Sequence, residues 1–194
     1  MNWYRFLLWF IGFLFFLCEG TIVPWLIPDF AADMQLVVTS RMAFIWFLYI
    51  AIYLQRSTAI AMALAFGLLH DLIFYGHMLG VHAFGMVLCT YLIALMLRDT
   101  HVTWYTGIAS IGLGLIAFDI IKYGLYRLFQ VTEADPWWHV VHNIVPSLSL
   151  NLLFAFAIYY PVIKSFARIE KYIAPVEPDE IQPSGHNWKE SRNS

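Results

Sequence analysis

Charged residues are scarce: Asp, Glu, Lys and Arg make up 12% of the 194 residues, about half the 25% of an ordinary soluble domain. With 61% apolar residues and a mean hydropathy of +0.68, a soluble globular protein is excluded. Positive charge is not in excess either. Eleven Lys and Arg stand against 13 Asp and Glu, with no sustained basic run, so nothing provides the electrostatic footprint that nucleic acid requires. Cysteine is nearly absent, and Cys18 and Cys89 both lie inside apolar stretches, where a small packed hydrophobe is the natural reading rather than a disulfide or a metal ligand. There is no His-Glu-x-x-His pattern and no Cys/His cluster, so no metal centre and no cofactor is expected. An internal repeat of the kind that builds two-fold transporters is also missing.

What is present is a series of long apolar runs. About 20 such residues cross a bilayer, and the chain has room for six helices: about Trp3 to Val23, Met42 to Leu54, Thr58 to Phe74, Met78 to Leu97, Trp104 to Tyr126 and Trp138 to Ile163. The first has one positive charge, Arg5, ahead of it but no small-residue cleavage site after it, and is expected to be retained. Pro24 and Pro28 should end it. Gly76-His77, Arg98-Asp99 and Thr132 to Pro136 punctuate the others. The expected organisation is an all-α, polytopic membrane bundle of about six transmembrane helices over residues 1–172, followed at 173–194 by a Pro-, Glu- and Ser-containing tail of disordered type. With both termini in the cytoplasm, the inner loops collect Arg5, Arg56, Arg98, Lys164, Arg168 and Lys171, as positive charges on short cytoplasmic loops should. The outer side takes Arg41 and Arg127 with Glu19, Asp29, Asp33, Glu133 and Asp135.

An ionisable group at the bilayer centre costs about 2.5–3.5 kcal/mol on insertion scales unless it faces protein or water. Those inside the runs therefore need partners. Ala59, Ala63, Gly67 and Asp71 recur every four residues on the third helix, placing three small side chains and a carboxylate on one stripe suited to close helix packing. That stripe either docks a partner helix or anchors the core. Asp119 and Lys122 stand at i,i+3 on the fifth helix, where they can pair, and the sixth opens with His139, His142 and Asn143, followed by Pro146, Ser147, Ser149 and Asn151. Glu19, Asp71, Asp119, Lys122, His142 and Asn143 fall towards one side of the membrane and are expected to form a buried polar cluster or to line an outward cavity. His77 with His82, or His139 with His142, would be the only candidates for a metal pair. Ser147 near His142 is the only local nucleophile and base, and no catalytic residue is assigned.

The segment from Ala65 to Gly85, Ala-Phe-Gly-Leu-Leu-His-Asp-Leu-Ile-Phe-Tyr-Gly-His-Met-Leu-Gly-Val-His-Ala-Phe-Gly, resembles the signature of the MreD family, rod shape-determining membrane proteins of bacterial cell-wall elongation. Gly67, Asp71, Gly80 and Gly85 carry the match. Glu19 closing the first helix, Arg41 opening the second, and Pro146-Ser-Leu-Ser-Leu-Asn151 with Pro161 in the last resemble the Gram-positive branch of that family. The likeness spans about residues 3 to 165. It implies a non-enzymatic protein of the bacterial cell membrane that binds the transmembrane helix of MreC and with it scaffolds a machinery containing MreB, RodA and a class B penicillin-binding protein. It also implies a fold similar to the substrate-binding subunits of energy-coupling-factor transporters. A solute-binding subunit of such a transporter, with Asp71, Asp119, Lys122, His142 and Asn143 lining its cavity, is the competing expectation.

Overall fold

In a computed structural model, which describes residues 3–26, 38–73, 78–98, 102–132 and 135–173, every regular element is helical. Asp29, Asp33, Gly76, His77, Asp99, Glu133 and the tail expected beyond residue 173 lie outside the described residues. The helices are α1 (Trp3–Leu26), α2 (Met42–Tyr53), α3 (Arg56–Ile73), α4 (Val81–Met96), α5 (Trp104–Leu128), α6 (Pro136–His139) and α7 (Val145–Ile173). A π-helical turn, Val140–Ile144, joins α6 to α7 with helical backbone angles on both sides, so the three form one rod. One proline expectation is corrected, since α1 runs past Pro24 to Leu26; Pro28 lies outside the described residues, and Pro161 stands inside the last helix, α7, as expected. At Pro24 only the last turn follows, so little of the hydrogen-bond ladder is affected.

Four rods are long and apolar enough to cross a membrane: those containing Trp3–Thr21, Arg56–Ile73, Trp104–Leu128 and Pro136–Ile169. The other two helices, α2 with 12 residues and α4 with 16, extend only about 18 and 24 Å at 1.5 Å per residue, short of the roughly 30 Å hydrocarbon core. Their starts are buried inside the protein, at Ser40, Arg41 and Ala43 for α2 and at Val81, His82 and Ala83 for α4, where bare N–H groups have no water to bond.

The core forms around α2. Its residues from Ala43 to Ala51 are all buried, with Phe44, Phe47, Leu48, Tyr49 and Ile50 at 0% exposure. A helix apolar on every face must be enclosed on every side, and α2 touches α1, α3, α4, α5 and α7. Rings interlock across these contacts: Phe44 with Phe118 of α5, Phe47 with Phe66 of α3, and Trp46 with Phe166 of α7, at centroid distances of 5.3, 5.3 and 5.4 Å. The two polar tips are bonded too, Trp46 Nε1–H to the Leu8 carbonyl at 3.1 Å and Tyr49 O–H to that of Ala155 at 2.8 Å. Outward faces carry large apolar side chains such as Phe10, Leu14, Leu92 and Phe156, as a lipid-facing surface should.

Candidate functional site: a polar layer at two helix starts

The start of α4 is held by a single carboxylate. Gly80, the residue before the helix, has φ +94°, a left-handed conformation that a side chain disfavours, and it turns the chain so that the first N–H groups of α4 face back to α3. Asp71 Oδ2 accepts the Gly80 and Ala83 N–H groups at 2.9 and 3.2 Å, while Oδ1 accepts the His82 N–H at 3.2 Å and lies 2.7 Å from His82 Nδ1. A carboxylate at this end of a helix meets both its unpaired donors and the positive end of its dipole. Close approach of α3 and α4 makes the reach possible. A Cβ on Gly67 would stand 2.5 Å from the Ala83 Cα, so only glycine lets the two backbones meet.

The start of α2 draws on three other helices. Thr39 N–H donates to Ser147 Oγ at 2.9 Å, Arg41 N–H to Asn151 Oδ1 at 2.8 Å, and Ala43 N–H to Glu19 Oε2 at 3.3 Å. Asn151 Nδ2 returns bonds to the Thr39 and Ser147 carbonyls, both at 2.8 Å. Irregular backbone at membrane depth survives only where protein satisfies it, and here α1 and α7 do so. The Arg41 side chain turns inward. Its Nη1 and Nη2 lie 2.7 and 2.6 Å from the two oxygens of Asp119 on α5, both residues about 3% exposed, and its Cζ sits 4.7 Å from the centre of the Phe118 ring. This forked geometry matches guanidinium to carboxylate.

The two starts are linked sideways. His70 Nε2 is 3.7 Å from Glu19 Oε1, and the His70 and His82 rings stack at 4.2 Å. Glu19, His70, His82, Asp71, Arg41 and Asp119 thus form one layer across α1 to α5.

Ala59, Ala63, Gly67 and Asp71 are all buried, and Gly67 lies against α4 of the same chain. The stripe anchors the bundle, leaving no open seat for another helix at Gly67. Of the expected polar cluster, Glu19, Asp71 and Asp119 belong to the layer. The Asp119–Lys122 pairing is corrected: Asp119 turns to Arg41, and Lys122 is half-buried beside that pair. His142 and Asn143 are also half-buried and outside the layer's bonds; His142 stacks on Trp138 at 4.9 Å with Nδ1 3.1 Å from the Trp138 carbonyl. The cause is the π-turn that contains them, which adds a residue to one turn and rotates the face presented inward. Ser147 and Asn151, one regular turn apart beyond it, take the inner position.

No group of three His, Cys, Asp or Glu side chains converges as a metal site among the described residues. His139 stacks on Tyr123 at 4.6 Å, and Ser147 meets Thr39 while His142 faces Trp138, so the one nucleophile and base candidate is turned apart. Arg41, His70, His82, Ser147 and Asn151 are the residues that sequence reasoning did not place in the cluster. The only available signals were the four-residue spacing of Ser147 and Asn151 and the unexplained charge at the head of the second apolar run.

The profile of the rod shape-determining protein MreD matches residues 2–169. The chain belongs to the MreD family. Comparison with curated proteins and with solved structures finds no significant match. Family membership and the four membrane-length rods make it a multi-pass membrane protein of the rod-shape machinery. The family is a shape-determining rather than a catalytic one. Gly67, Asp71 and Gly80, which carried the resemblance, are the residues that set the α3–α4 junction in this member of the family.

Proposed function

We propose that the chain is a non-enzymatic membrane scaffold that binds MreC and, with it, couples MreB inside the cell to RodA and a class B penicillin-binding protein, helping to keep lateral peptidoglycan synthesis in register with rod shape. The observation that carries this is the family match over residues 2–169. The geometry supports it: the carboxylates a solute site would need are engaged within the protein, Asp71 by three N–H groups and His82, Asp119 by Arg41. Such a layer fixes helix positions and leaves a rigid outer surface for partners. With the α3 stripe filled from within, the MreC helix packs on a lipid-facing side of the bundle. Both termini are assigned to the cytoplasm in this reading, which the excess of Arg5, Arg56, Arg98, Lys164 and Arg168 on that side supports.

The test is copurification of the tagged chain with MreC of the same genome in mild detergent, followed by intact-complex mass spectrometry. A defined complex with no bound mass other than phospholipid is expected. A chain that runs without MreC and carries a reproducible solute mass would overturn the scaffold in favour of a transporter-type subunit.

A further inference from the structure

Where α1 begins and α7 nears its end, the two helices part and leave an open groove of about 570 Å³ lined by Trp3, Tyr4, Leu7, Ser165, Arg168 and Ile169. Its volume falls in the about 300–1,000 Å³ range of small-molecule sites. Leu7 stands one turn below Trp3, and Arg168 and Ile169 one turn beyond Ser165, so each wall is a single helical stripe. The lining is apolar except at the mouth. There Trp3 is 79% exposed, a position that in a bilayer corresponds to the headgroup level where indole rings settle. Arg168 is exposed and has no hydrogen-bond or ion-pair partner among the described residues. Lys164, one turn earlier, lies over the Tyr160 ring at 6.0 Å. Ser165 Oγ donates to the Pro161 carbonyl at 2.7 Å, so its proton is engaged within α7.

A groove that opens sideways into a bilayer is filled by an acyl chain unless protein covers it, and Arg168, the cation among its lining residues, favours a negative headgroup. We propose that this groove is a binding site for an anionic phospholipid, one acyl chain lying along Leu7 and Ile169 and the phosphate meeting the Arg168 guanidinium beneath Trp3. The selection is electrostatic, because a zwitterionic lipid fills the same apolar walls but brings no net charge to Arg168. A juxtamembrane cation contributes about fivefold in affinity for an anionic surface, which sets the scale of the effect.

The experiment uses the full chain, extracted from vesicles of equal phosphatidylglycerol and phosphatidylcholine with identical acyl chains, and native mass spectrometry of the lipids it retains. Wild type should retain phosphatidylglycerol in preference. Arg168→Gln should lower the glycerol-to-choline ratio about fivefold, Arg168→Lys should restore most of it, and Arg127→Gln, which removes an exposed arginine hydrogen-bonded to Tyr123, should leave it unchanged. Leu7→Trp, which fills the groove, should reduce the number of lipids retained. No preference in wild type, an unchanged ratio in Arg168→Gln, or a photo-crosslinker at Leu7 that captures a protein helix in cells instead of lipid would each overturn the proposal.

Discussion

Two short helices in this bundle pose the same problem, an N-terminus buried among other helices, and solve it differently. At α4 the cap is local: Asp71 comes from the preceding helix, 9 to 12 residues away, and one carboxylate takes three N–H groups. At α2 the cap is assembled from far along the chain, with Glu19 24 residues, Asp119 78 residues and Asn151 110 residues from their partners. The α3–α4 pair is therefore a hairpin-like unit closed by its own residues, whereas α2 is held only when the whole bundle is present. One junction carries a compact sequence signature; the other leaves scattered single residues.

The most severe test of this contrast strikes the local unit at its tightest point. Gly67→Leu drives a side chain into the Ala83 backbone and is expected to cost about 3 kcal/mol or more, seen as loss of monodisperse protein on size exclusion. Fully folded Gly67→Leu would mean that α3 and α4 are free to part. Next comes the distributed cap. Asp119→Leu leaves Arg41 buried without its partner and should destabilise by about 3–5 kcal/mol, while the double exchange Arg41→Met with Asp119→Leu should recover most of that loss, read by denaturant unfolding in detergent. Equal losses in single and double variants would show that the guanidinium does more than balance Asp119.

Smaller effects sharpen the comparison. Asp71→Asn keeps the shape but exchanges an acceptor oxygen for an NH2 that faces backbone donors, so about 1–3 kcal/mol should go and the amides of Gly80, His82 and Ala83 should exchange with deuterium faster. A negligible change in both would make charge at position 71 irrelevant. Gly80→Ala places a side chain on a left-handed residue with open space around it, so the added backbone strain is the whole cost, about 1–2 kcal/mol of stability.

This same contrast explains what could be read in the sequence. Six helices and the Ala59–Asp71 stripe were legible because apolar runs and four-residue spacing are local properties, and Gly80 beside Gly76 marked a turn. The short second run, Met42 to Leu54, already matched α2, but the start of α4 at Val81 rather than Met78 was hidden, since apolar length does not say where a helix is capped. Asp119 was assigned to Lys122 because i,i+3 is the only pairing rule a lone helix offers; no local rule could bring Arg41 across 78 residues. His142 and Asn143 were misplaced by assuming a regular helix through Val140–Ile144, where one extra residue per turn shifts the face. The polar layer was thus half visible: its carboxylates stood out as costly in lipid, but their partners were set by tertiary packing.

The enclosure of α2 has a consequence for biogenesis. When Arg41 leaves the ribosome, the residue that bonds its backbone lies 110 positions downstream, a delay of roughly 5–20 s at ordinary synthesis rates. During that interval α2 is a short apolar segment headed by an unpaired cation, too brief to hold a transmembrane position by itself. Its start gains its full set of bonds only when α5 and α7 arrive, which makes completion of the last helix, rather than synthesis of the second, the step that fixes α2 in place.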